Sequence, residues 1–142
     1  MRYEDSARVT RMTRRRKVRL RWGMRDHKSL IAWQRSHTVV CAVLRASVKH
    51  WKPSAQAVFS QLQRASLSVQ LNIAEGHARK TPALFRNHLR IAYGSAVETV
   101  ELLELALEAG ILPDMPTRET LSYAIETRAL LLGLLRRFSG IS

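Results

Sequence analysis

Five histidines, His27, His37, His50, His77 and His88, and a single cysteine, Cys41, are the side chains best suited to hold a metal or attack a substrate. No two of the histidines stand four residues apart, the spacing at which a helix presents a pair of ligands to zinc, and no Glu-x-x-His pair of the kind that builds a di-iron bundle occurs. A Gly-rich phosphate loop is also absent from the sequence. Cys41 lies inside Val39-Val40-Cys41-Ala42-Val43-Leu44, where the expected role of the thiol is core packing and not nucleophilic attack. A polar set remains: Asn72 and Glu75 in one segment, and His88, Ser95 and Thr99 in the next. Catalysis there would need a nucleophile with an identifiable base. Without one, the set reads as a hydrogen-bonded device that fixes the register of two helices, Asn72 and Glu75 being the expected partners of His88, Ser95 and Thr99. No catalytic residue, metal or cofactor is therefore expected.

Charge carries more information. The chain has 142 residues with 24 Lys and Arg against 11 Asp and Glu, a formal charge of +13 and a pI near 11.3, which points to polyanionic partners. Ten of the basic residues fall within 1–25, opposed there by Glu4 and Asp5 alone. With its apolar residues scattered singly, this stretch reads as a basic arm that does not order itself. It is either a nucleic-acid-binding tail or an extension upstream of a true translation start at Met24. Residues 26–142 form the expected folded domain, within the size of one hydrophobic core. One cysteine allows no intramolecular disulfide and suits a reducing cytoplasm, and no apolar run reaches the roughly 18 residues of a membrane span.

The elements that must position these groups are helices. Apolar spacing in Leu30, Trp33, His37, Val40, Cys41, Leu44 and Val48 predicts a first helix with that buried stripe, stopped near Trp51 by Pro53. Ser54 is the expected cap of a second, with the stripe Val58, Leu62, Ala65, Ser66, Val69 and Ile73 and a left-handed terminus at Gly76. Thr81-Pro82 is a strong start signal for a third, running to Ala109 with Gly110 as its stop. After a Pro113–Pro116 turn, Thr117 is the expected cap of a fourth, which carries Arg136 and Arg137 in its last turn and ends at Gly140. Four helices with short connections and no alternating strand pattern predict an all-α, antiparallel up-down-up-down four-helix bundle.

The third helix is apolar around nearly half its circumference, counting Leu84, Phe85, Leu89, Ile91, Ala92, Ala96, Leu102, Leu103, Leu105, Ala106 and Leu107. It either sits deep between two neighbours of its own bundle or joins a second copy of the chain. Glu98, Glu101, Glu104 and Glu108 occupy its C-terminal half, where the helix dipole disfavours negative charge. Glu101, Glu104 and Glu108 share a face, read either as a solvated stripe or as a contact for a basic partner.

Asn72-Ile73-Ala74-Glu75-Gly76, then Arg79, then Phe85, Leu89, Ile91-Ala92, Gly94-Ser95 and Glu98, preceded by Leu30, Trp33 and Gln34, complete a second kind of signal. Over about Lys28 to Leu112 the chain resembles the four-helix-bundle family of ribosomal RNA intervening-sequence proteins, which includes the accessory protein of diversity-generating retroelements. Two spaced motifs on separate helices carry the resemblance, and the fourth helix matches only in character. It implies assembly into a homopentameric ring and, for the retroelement branch, binding to a reverse transcriptase and to nucleic acid. Gln70 stands where the family often has proline, and the arm before Met24 lies outside the pattern. Within the motif, Asn72, Glu75 and Glu98 read as structural polar contacts, Gly76 as a helix end, and Gly94 and Ser95 as a place where another helix approaches closely.

The functional expectation is a non-enzymatic RNA or DNA binder acting beside a reverse transcriptase. Its phosphate contacts would come from Arg35, Arg45, Lys49, Lys52 and Arg64 on the first two helices and from the Arg79-Lys80 turn. Aromatic residues are only 6%, which disfavours recognition by base stacking. The alternative is an oligomeric protein scaffold without nucleic-acid affinity, its charges serving solubility and subunit pairing.

Overall fold

A computed structural model describes residues 26–139. The basic stretch 1–25 and the expected stop at Gly140 lie outside them. Helix α1 spans Ile31–His50, α2 Gln56–Ala78, α3 Pro82–Glu108 and α4 Asp114–Phe138, with short 3-10 turns at His27–Ser29 and Pro53–Ala55. No strand occurs among the described residues. α1 packs on α2, α2 on α3, α3 on α4, and α4 closes back onto α1. Among the described residues, no helix is long and apolar enough to cross a membrane.

The α3 boundaries follow the sequence signals. Thr81 is extended and its hydroxyl accepts from the Leu84 amide at 3.4 Å, with Pro82 at the first helical position. Gly110, at φ +68, takes the left-handed conformation after the last turn. Three expected termini are corrected. Ser54 does not cap α2: it sits within the 3-10 turn, and Ala55 precedes the helix without a side-chain hydrogen bond. α4 begins at Asp114, three residues before Thr117, which is buried inside the helix. Pro116 is tolerated there because amides of a first turn have no intrahelical acceptor to lose. Gly76 is helical and buried, and α2 continues to Ala78. The left-handed residue at this corner is Lys80, at φ 58.

The buried stripe of α1 is also rotated from the expected one. Ala32, Ser36, Val39, Val40, Val43 and Ser47 face the core, whereas Leu44 and His37 are exposed and Val48 is 89% exposed. Close helix approach selects the small side chains Ala32, Ser36 and Ser47 at the interface, a preference that hydrophobic weight alone does not register. Cys41 is accordingly half-buried at the edge of this stripe and does not pack in the core.

Two clusters make the core. Ile73, Phe85, Leu89, Ala92, Leu131 and Phe138 centre one, with Phe85 and Phe138 ring centroids 5.5 Å apart. Val43, Phe59, Leu62, Val100, Leu103 and Ala124 centre the other. α3 supplies Phe85, Leu89, Ala92 and Ala96 to the first and Val100, Leu103 and Ala106 to the second. Its wide apolar arc is thus partly accounted for within the chain, but Leu84, Ile91 and Leu105 on the same helix remain exposed.

Candidate nucleic-acid interface

The polar residues expected between the second and third helices do meet. The Asn72 amide nitrogen donates to the Ser68 carbonyl at 2.8 Å, fixing the side chain so that its oxygen lies 3.1 Å from His88 Nδ1. One turn along, the Ser68 and Ser95 hydroxyls are 2.7 Å apart, and farther along Gln61 donates to Glu98. Thr99 turns back onto its own helix, donating to the Ser95 carbonyl at 2.8 Å. Glu75 does not join the set: it is exposed and paired with Arg79 at 3.4 Å, one turn away. Below Asn72, Gly76 lets α3 come close, since a Cβ at this position would lie 2.5 Å from His88 Cβ and 3.1 Å from Phe85 Cδ1. The Asn72, Gly76, Ser95 and Glu98 positions are therefore a seam that joins α2 to α3. Gly94 is different in kind. It is exposed, and a Cβ there would meet nothing within 4 Å.

The cationic residues do not form one patch. Arg45 and Lys49 lie a turn apart on α1 and line a groove between α1 and the first half of α4, together with His50, Glu119, Thr120 and Tyr123. Lys52 follows just beyond the end of α1 and is exposed. Arg64 is exposed on α2. Arg79 and Lys80 sit at the far end of α2, separated from Lys52 by a 23-residue helix, a span of about 35 Å. Arg35 is held within the fold: its Nε donates to Glu126 Oε1 at 3.0 Å and its guanidinium lies 5.8 Å from the Tyr123 ring centroid. Of the seven positions, Arg35 and Arg79 are thus in ion pairs, whereas none of the ion pairs among the described residues uses Arg45, Lys49, Lys52, Arg64 or Lys80.

Glu101, Glu104 and Glu108 are exposed on α3, outside every ion pair of the described residues. Among those residues, no group of three or more His, Cys, Asp or Glu side chains is placed to hold a metal ion. A smaller cluster escaped the sequence reasoning. Cys41 Sγ lies 3.7 Å from His37 Nε2, the His37 ring stacks on Trp33 with centroids 4.8 Å apart, and Gln70 Nε2 reaches His37 Nδ1 at 2.9 Å. The sequence carries a signal for it: His37 and Cys41 stand four residues apart, a spacing that places them on one face of a helix.

Asp26, which caps the first 3-10 turn, has its carboxyl held below the ordinary range, chiefly by the Lys28 backbone amide donating at 2.7 Å. It has no part in the basic groove.

Comparison with known proteins agrees with the motif. No curated protein matches the chain significantly. The family model described as 23S rRNA-intervening sequence protein matches residues 28–133, from the turn before α1 to late α4, so the similarity extends past Leu112 into the fourth helix. The seam residues Asn72, Gly76, Ser95 and Glu98 fall within this span. With well over half of its length matched, the chain belongs to the 23S rRNA-intervening sequence protein family.

Proposed function

We propose that this protein is a non-enzymatic, phosphate-directed nucleic-acid-binding accessory protein that works as an oligomer. The observation that carries the reading is the position of Arg45, Lys49 and Lys52, which lie within two helical turns on or just past α1 and outside the ion pairs of the described residues. Cations left unneutralised by the fold attract phosphates, with strong dependence on salt and little on sequence. Arg64 extends the surface, while Arg79 and Lys80 form a second contact at the opposite end of α2. Membership of a family described by a ribosomal RNA intervening sequence supports an RNA-associated role.

The finer reading is an up-down-up-down bundle assembled as a homopentameric ring that serves a reverse transcriptase in a diversity-generating retroelement. Packing of each helix on its chain neighbours through short connections supports the topology. Exposed Leu71 at 59%, Ile91 at 53% and Leu105 at 50% on α2 and α3, together with the open position at Gly94 on α3, support self-association. The reverse-transcriptase partnership rests on the resemblance of the motif alone.

The second reading, a protein scaffold without nucleic-acid affinity, is favoured by Arg35 and Arg79, whose charges are already matched by Glu126 and Glu75. Titration of single-stranded RNA and duplex DNA against salt separates the two, using the full chain, the form starting at Met24, and Arg45→Ser/Lys49→Ser/Lys52→Ser. Binding by both forms with a steep salt slope, weakened by the triple substitution, supports the first reading. Binding by the full chain alone assigns the contact to residues 1–23, and none by either form leaves the scaffold.

A further inference from the structure

The buried stripes of all four helices carry a hydroxyl at one level of the bundle. Ser36 of α1, Ser66 of α2, Thr99 of α3 and Thr127 of α4 are each 2% exposed. With Val39, Val69, Ala96 and Ala124 they line a single cavity. It lies at the junction of the two apolar clusters, for Val69 and Ala96 belong to one and Val39 and Ala124 to the other.

Three of these hydroxyls have used their proton locally. Thr99 donates to the Ser95 carbonyl at 2.8 Å, Thr127 to the Tyr123 carbonyl at 2.8 Å, and Ser66 to the Gln63 carbonyl at 3.2 Å. Each keeps oxygen lone pairs free to accept. Ser36 is the exception: its oxygen is buried and has no hydrogen-bond partner in the protein. The layer therefore combines one uncommitted donor with three uncommitted acceptors, one group from each helix.

We propose that Ser36, Ser66, Thr99 and Thr127 form a binding site for one internal water molecule. The water accepts the Ser36 proton and donates to two of the other three hydroxyls, which gives it the two to four polar partners that buried waters have. The cavity between the side chains is about 10 Å³, room for a single water and too little for an organic ligand. Because each ligand comes from a different helix, the site ties the rotation of α1 and two of the other three helices to one point. A fully satisfied polar layer of this kind excludes alternative registers that apolar stripes alone permit.

Water-to-methyl NOE and ROE transfer on the full chain labelled at Thr and Ala methyls tests this. The expected result is NOE transfer to Thr99, Thr127, Ala96 and Ala124 with the sign of a long-lived water, lost in Ser36→Ala together with a Tm several degrees lower. Absence of transfer at these methyls, with solvent-exposed methyls as the positive control, overturns the proposal. So does a Tm raised by Ser36→Ala, since that change would show an uncompensated buried hydroxyl and not a ligand. Ser66→Ala/Thr127→Val, which leaves the water a single acceptor, should also weaken the transfer; unchanged transfer in both this variant and Ser36→Ala would place any observed water elsewhere.

Discussion

Gly76→Ala is the substitution whose outcome the structure specifies most tightly. The new Cβ would lie 2.5 Å from His88 Cβ, and both atoms are fixed to helix backbones, so no rotamer change relieves the overlap. α2 and α3 must separate by about 1 Å to restore van der Waals contact, an overpacking that costs about 1–3 kcal/mol. Separation also strains the Asn72–His88 contact of 3.1 Å and the Ser68–Ser95 contact of 2.7 Å, each worth about 1 kcal/mol. Against this stands the gain of about 1 kcal/mol from replacing glycine by alanine inside a helix. The net expectation is a loss of about 1–3 kcal/mol, or a Tm lower by roughly 4–10 °C for a domain of this size. Thermal unfolding followed by far-UV circular dichroism measures it. A left-handed helix terminus would also penalise alanine, so the decisive variant is Gly76→Ala in a His88→Gly background. Relief of the overlap should make the second substitution neutral or stabilising there. An equal loss in both backgrounds would refute the close-approach account.

Arg45→Ser/Lys49→Ser/Lys52→Ser should leave the melt within about 1 kcal/mol of the parent, as exposed positions do, while lowering the magnitude of the salt slope for duplex DNA by about 3 per bound chain if all three contact phosphates; filter binding at several salt concentrations checks both affinity and slope. Cys41, half-buried, should react with a disulfide reagent in the native state, and no reaction before unfolding would return it to the core. Thr81→Ala removes the hydroxyl that accepts from the Leu84 amide and should destabilise by about 1 kcal/mol, read from denaturant unfolding. Asp26 has a carboxyl pKa lowered in the fold by the Lys28 amide, so its contribution is present above the ordinary carboxylate value and disappears as the pH falls through the lowered one; Asp26→Asn should flatten that part of the stability profile.

Helix number and the start and stop of α3 were legible because Thr81, Pro82 and Gly110 act through local backbone chemistry. The pairing of Asn72 with His88 was legible for a related reason: a polar residue on an apolar face must find a partner, and few were on offer. What stayed hidden depended on tertiary distance. Gly76 reads locally as a terminus, and only the proximity of His88 shows that its missing side chain serves packing. The α1 stripe was misplaced because Ser36 and Ser47 face the core, and serine carries no hydrophobic signal. Arg35 and Arg79 looked equivalent to Arg45 and Lys49 until Glu126 and Glu75 were found beside them.

Gly94 poses the opposite problem to Gly76, and its substitution tests assembly. Within one chain nothing within 4 Å explains a glycine there, the residue is exposed, and it lies in the interior of α3. Alanine should then favour the isolated chain by about 1 kcal/mol. If the exposed Ile91 and Leu105 on the same helix, with Leu71 on α2, pack against a second copy, Gly94 allows that copy's backbone to approach, and the added methyl meets it directly. The two effects then have opposite signs in two assays on one variant. Sedimentation velocity should show Gly94→Ala shifted toward smaller species at equal concentration, while denaturant unfolding at a concentration where both proteins are dissociated should show it equal to or more stable than the parent. An unchanged sedimentation profile would remove Gly94 from the contact and leave the apolar ridge to be explained by a different partner.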